Sequence, residues 1–203
     1  MRQNPARRAA LLDAAIEVLA HEGSRGLTLR AVDKAAGVPT GTASNYFSNR
    51  DELLTQAGAR VYERLIPDDV TIEEQMSGVQ DLDKFVELMR ETVKRVSGFR
   101  TGYLAMLELR LEATRRPELR AVLTKRIRAD MDANVERHIQ AGLPGDAVSV
   151  QLLQLALSWL ILEQLTLPDI LSEQERDHLV AEAVRRLAFG GLGRDPSLNL
   201  GTP

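Results

Sequence analysis

The sequence predicts an all-α protein of about nine helices: a short N-terminal three-helix bundle followed by a larger helical region. Three observations point there. Apolar residues recur at three-to-four spacing along most of the chain, no stretch alternates with period two, and Gly, Pro and capping residues interrupt the apolar runs at helix-length intervals. With 203 residues, 44% of them apolar and 27% charged, the chain can bury a sizeable core.

Asn4-Pro5 starts the first helix, since Asn caps and Pro fits the first helical position. Leu12, Ala15, Ile16 and Leu19 form its apolar stripe and Gly23 ends it. Thr28 caps a short helix with Leu29, Val32, Ala35 and Ala36, stopped by Gly37; Pro39 opens another through about Tyr46. Ser48 or Asn49 caps a longer helix carrying Leu53, Leu54, Ala57, Val61 and Leu65, ended by Pro67. Residues 68–78 are polar and read as irregular. A helix over 81–96 is stopped by Gly98, and helices over 99–114 and 117–141 are parted at Arg116-Pro117, because the residue before proline is pushed out of helical geometry. Gly142 and Pro144-Gly145 break the chain, and Asp146 caps a helix over 147–166. Ser172 with Glu175 forms a capping box for a final helix to about Phe189. The end, 191–203, reads as a flexible tail.

The net charge of −3 is unevenly shared. Residues 1–50 hold seven basic and four acidic side chains, a balance of +3, and the rest of the chain carries −6. A basic end on an acidic body suits an end that meets an anion, although unevenly solvated surface charge gives the same count. The absence of cysteine excludes disulfides, thiolate metal sites and a catalytic thiol. No apolar signal core follows Met1, and the apolar run 152–162 falls short of the roughly 20 residues of a membrane span. A cytoplasmic protein with no membrane partner is expected. His21, His138 and His178 are far apart, each on a predicted polar helix face, and no glycine-rich phosphate loop follows a strand. No catalytic residue, metal or cofactor is expected.

Residues 23–54 carry the main functional signal. Three short helices parted by Gly37-Val38-Pro39 have helix-turn-helix dimensions, with Leu29, Val32, Ala36, Val38, Ala43 and Phe47 facing inward. The second leaves hydroxyls and an amide facing out, groups that reach phosphates and base edges, with Arg25, Arg30 and Arg50 around them. A tight helical corner in any all-α protein fits the same spacing.

The stretch from Gly26 to Leu54 resembles the DNA-binding domain of TetR-family (tetracycline-repressor-type) transcriptional regulators. It meets the family pattern at Thr28, Val32, Ala36, Gly37, Val38, Gly41, Tyr46, Phe47, Asn49 and Leu53. It departs at Asp33, where Ala is usual, at Pro39 for Ser, at Arg50 for Lys, and at Ser44, where a phosphate-touching Tyr is most frequent. The resemblance implies a helix-turn-helix DNA-binding domain over 1–50, an effector-binding and dimerisation domain over 51–190, and the tail over 191–203. It makes 39–46 the recognition helix. Thr40, Thr42 and Asn45 then face DNA, with Tyr46 and Ser44 on phosphates and Pro39 at the helix start. Asn45 suits adenine through its amide, and Thr28 can offer a phosphate its hydroxyl and free helix N–H groups. Arg30 suits a base or a phosphate equally, and Arg50 a phosphate. Arg7 and Arg8 suit a flexible basic arm.

For the remaining three quarters the resemblance implies two tasks. One is homodimerisation: residues 147–166 are apolar nearly all round and so are buried on more than one face. Leu153, Leu157 and Leu160, with Val180, Val184 and Leu187 of the last helix, are the expected interface, although a monomer's core helices look alike. The other is binding of a small-molecule effector among Phe85, Met89, Phe99, Tyr103, Met106, Leu107 and Trp159. Glu108 and Glu112 suit a cationic ligand or, preferably, salt bridges with Arg115 and Arg116. The implied function is a repressor released from a palindromic double-stranded operator by its effector. The alternative is a helical small-molecule-binding or scaffold protein that does not bind DNA.

Overall fold

The computed structural model describes residues 4–65, 79 and 81–188. Among them are eight α-helices and no strand: α1 Pro5–Gly26, α2 Leu29–Ala35, α3 Arg50–Leu65, α4 Leu82–Gly98, α5 Arg100–Ala113, α6 Pro117–Gln140, α7 Ala147–Thr166 and α8 Glu173–Ala183. A 3-10 turn covers Ala43–Asn45, and a π turn, Val184–Ala188, continues α8. The expected irregular stretch 68–78, the helix end at Phe189 and the tail 191–203 lie outside the described residues.

Local chemistry sets the helix starts. Asn4 Oδ1 accepts the N–H groups of Ala6 and Arg7 at 3.0 and 3.3 Å, and Thr28 Oγ1 accepts that of Ala31 at 3.0 Å. Asn49 rather than Ser48 caps α3, accepting the Glu52 N–H at 2.9 Å, while the Glu52 carboxylate reaches back to the Ser48 N–H at 2.7 Å. The Asp146 cap and the Ser172–Glu175 capping box form as expected. Gly23 adopts φ +68°, a left-handed value that glycine tolerates best, and breaks the helical path of α1 before its last turn.

The chain divides into two compact units, with breaks at 69/70, 94/95 and 130/131. In the first, α1 packs against α2, α3 and α5, and α3 against α5. Its centre holds Leu11, Ile16, Leu19, Phe47, Leu53, Leu54, Leu109 and Leu119, each 1% exposed or less. In the second, Phe85, Leu88, Leu153, Leu157, Val180 and Val184 share a core with the π-turn residue Ala188. Grouping by contacts shares the charge more sharply. Residues 1–69 and 95–130 hold 18 Lys+Arg against 13 Asp+Glu, a balance of +5, and the second unit carries −8.

Two expectations change in the second unit. His138 is not on a polar face: it is 3% exposed, its ring packs edge-on against Phe85 at 5.5 Å, and Nε2–H donates to the Pro144 carbonyl at 2.8 Å. The residues expected at the interface also face inward. Leu153, Leu157, Val180 and Val184 are buried in the chain's own core, with Leu160 and Leu187 packed against it. The apolar side left open on α7 is instead Val148, Leu152, Leu155 and Trp159, 46–62% exposed. At 20 residues, α7 also exceeds the 152–162 run and is long and apolar enough to cross a membrane, a test that core helices meet too.

Candidate nucleic-acid interface

The expected recognition helix over 39–46 is a turn. Gly41 takes φ +94°, which an α-helix does not accommodate, and the segment's one regular piece is the 3-10 turn Ala43–Asn45. The cause is Asp33. Its carboxylate, 2% exposed behind the turn, accepts the Gly41 N–H through Oδ2 and the Ala43 N–H through Oδ1, each at 2.7 Å. Two charge-assisted bonds outweigh the weak helical preference of Thr40-Gly41-Thr42. Ala43 and Phe47 anchor the turn by burial.

The turn displays what the sequence placed there. Pro39, Thr40, Ser44 and Asn45 are exposed, and Thr42 and Tyr46 half-buried. The Thr42 hydroxyl donates to the Pro39 carbonyl at 2.6 Å and that of Ser44 to the Gly41 carbonyl at 2.7 Å, while the Asn45 amide reaches the same Gly41 carbonyl at 3.2 Å. Thr28 and Arg30 are exposed at the start of α2, close in sequence to the cap.

Two arginines make intramolecular contacts that the sequence did not disclose. Arg50 is half-buried, donating from Nε to the Leu27 carbonyl at 3.0 Å and from Nη2 to the Ser24 carbonyl, so it ties the start of α3 to the end of α1. Arg50→Ala should therefore lower stability by about 1–3 kcal/mol. Arg50→Lys, which keeps the charge but not the planar fork, should recover under half of it. Urea unfolding of both variants checks this. Arg8 is no free arm, since Nε donates to Gln56 at 2.8 Å and its guanidinium lies over the Phe47 ring at 5.2 Å; Arg7 is exposed.

At the end of α1, α5 grips Ser24. Glu108 Oε2 accepts the Ser24 N–H and Glu112 Oε1 the Ser24 hydroxyl, both at 2.9 Å. Glu112 also accepts from Arg116 Nε at 2.8 Å and Arg115 Nη2 at 2.7 Å, and Arg116 pairs with Asp51 of α3. The Arg116 bond first, then those of Arg115 and Ser24, hold the Glu112 carboxyl down at about 2 against the opposing effect of burial. The salt-bridge reading of Glu112 is the one realised; Glu108 instead holds backbone.

The candidate effector residues are divided. Phe85 and Met89 belong to the second unit's core. Tyr103 and Met106 are buried in the first unit, where Phe99 lies under the Arg64 guanidinium at 4.3 Å and Leu107 is half-buried. Trp159 is 62% exposed. Asp33 and Ser24 were not anticipated as functional residues. The departure from alanine at position 33 was the one available signal. Ser24 offered none, as its partners lie 84 and 88 residues away.

Residues 11–57 match the profile of bacterial regulatory proteins of the tetR family, and residues 80–189, more than half of the chain, match the tetracyclin repressor-like C-terminal domain. The chain belongs to the TetR family. It is 28% identical over 136 residues to the HTH-type transcriptional regulator BetI of Agrobacterium fabrum. That match covers 66% of this chain and 65%, just under two thirds, of BetI. Among solved structures, the fatty acid degradation regulator FadR from Bacillus halodurans superposes with TM-score 0.71 at 20% identity, over 96% of this chain and all of that one, which shows the fold. The multidrug binding protein EbrR complexed with ethidium has TM-score 0.60 and 26% identity, over 87% of this chain and 98% of that one. The protein is thus a TetR-family transcriptional regulator with DNA-binding and ligand-binding domains.

Proposed function

We propose that this TetR-family regulator works in the cytoplasm as a homodimeric repressor, released from a palindromic operator by a small-molecule effector, with no catalytic step. The observation that carries the reading is the turn 39–46: exposed Thr40, Ser44 and Asn45 on a backbone held from behind by Asp33, with exposed Arg30 nearby. The +5 balance of the first unit supports it, because phosphate contacts favour a basic surface. One such turn reads few bases, so two copies on a palindrome supply the specificity. Thr28, Tyr46, Ser44 and Arg50 are assigned to phosphates, Arg30 to a phosphate or a base, Thr40, Thr42 and Asn45 to base edges, and Pro39 to the turn's entry.

Titrating the protein on DNA from upstream of its own gene and on random DNA tests this. Asn45→Ala should cost about 1–3 kcal/mol on the operator and little on random DNA. No specific site there or in a selected random pool would leave the scaffold alternative standing.

For dimerisation, the exposed apolar side of α7, with Leu179 of α8, takes over from the residues committed to the core. Trp159→Glu should weaken the dimer about a hundredfold and shift sedimentation to monomer, whereas Leu153→Ala should mainly lower stability. The EbrR–ethidium complex supports a small-molecule effector for this chain. Phe85, Met89 and Trp159, and separately Phe99, Tyr103, Met106 and Leu107, stay assigned to effector binding.

A further inference from the structure

An open groove of about 330 Å³ lies between the second half of α5 and the first half of α6. Ala113, Leu123 and Ile127 give it an apolar lining, with Thr124 beside them, and each helix contributes one arginine, Arg110 and Arg120. Both arginines are exposed, and neither forms an ion pair among the described residues, unlike Arg115 and Arg116, which are committed to Glu112. Arg110 hydrogen-bonds the Tyr62 phenol, which burial pushes up to about 12 and keeps neutral, and the Asp130 carboxylate acts on the same phenol.

Two exposed guanidiniums outside any salt bridge, beside an apolar lining, are complementary to a ligand with an anionic head and a compact apolar body. Guanidinium groups bind a carboxylate through paired N–H donors, and the lining gains by excluding water. The volume lies at the lower end of small-molecule sites, roughly 300–1,000 Å³. We infer that this groove is a binding site for a small amphipathic carboxylate. The site stands apart from the effector residues named above.

The groove also lies beside the grip on Ser24 at the end of α1. Leu123 packs directly on α3: a Cβ added at Gly58 would lie 3.1 Å from Leu123 Cδ2. Ala113 lies between Glu112, which holds Ser24, and Arg115 and Arg116, which hold Glu112. An occupant pressing on Leu123 and Ala113 loads α3 and the α5–α6 turn together. That coupling, unlike the binding itself, rests on the regulator reading.

The test is calorimetric titration of the full chain with octanoate and, as a chain-matched cation, octyltrimethylammonium. Octanoate should bind, and the affinity should fall about tenfold or more in Arg110→Gln/Arg120→Gln. Thr124→Trp, which fills the groove and keeps both charges, should also abolish binding. Octyltrimethylammonium should not bind. No octanoate binding, equal binding of the cation, or binding indifferent to both variants overturns the site. So does a double variant that loses DNA affinity but keeps octanoate, because the arginines then serve phosphates of DNA. Octanoate should alter wild-type operator affinity and leave that of Thr124→Trp unchanged. An unaltered operator affinity alongside intact octanoate binding overturns the coupling alone, and failure of any operator to bind sinks the regulator reading while the calorimetry stands.

Discussion

Asp33→Ala should destabilise the protein by about 2–4 kcal/mol and weaken operator binding about tenfold or more. The two N–H groups it serves fare differently when the carboxylate goes. Gly41 is exposed, so water replaces the lost acceptor; Ala43 is fully buried, and its N–H is left unsatisfied. The turn then has no reason to keep Gly41 at φ +94°, and the displayed residues lose their common frame. Asp33→Asn should recover less than half of the loss, since an amide presents one acceptor and one donor to two N–H groups. Urea unfolding and titrations on operator and random DNA provide the measurements. An Asp33→Ala protein that unfolds and binds like its parent would remove the turn's support from the account. The alanine usual in the family at this position is thus the damaging residue in this chain.

Glu112 gives the second large effect. Its carboxyl titrates at about 2 in the folded protein and near the ordinary 4.5 when unfolded. A depressed folded value means the stabilisation is fully present above about pH 4.5 and is lost as the pH falls toward 2. The difference corresponds to about 3 kcal/mol. Glu112→Gln should lower stability by about that amount at pH 7 and flatten the decline between pH 4.5 and 2. Unfolding by urea at pH 7, 4 and 3 reads both. Parallel pH profiles for wild type and variant would show that the Arg115, Arg116 and Ser24 bonds add nothing to folding. Because Glu112 is 6% exposed, screening by solvent does not erase the effect.

What the sequence discloses follows the range of the forces involved. Asn4, Thr28, Asp146 and Ser172 act within three residues of themselves, and each starts a helix where its type suggests. The 39–46 segment misleads because the deciding partner, Asp33, acts from another element eight and ten residues back. On α7 the composition reveals that two sides are apolar, but not their phase. Only packing on α8 and the π turn puts Leu153 and Leu157 inside and leaves Trp159 outside. The acidic pair on α5 is visible at once with Arg115 and Arg116, whereas Ser24, its partner from the far end of α1, is not. His138 reads as polar because Phe85, which covers it, is 53 residues earlier in the chain.

The Asp33-held turn separates two properties that a recognition helix combines. In a helix, each displayed residue also bears on whether the helix exists, so a change of reading risks a change of fold. Here the backbone is fixed by a carboxylate from beneath and by buried Ala43 and Phe47, while Thr40, Ser44 and Asn45 are exposed. Those positions are open to mutation at little structural risk. A library varied there should yield folded proteins with new operator preferences, making this head a scaffold for retargeting.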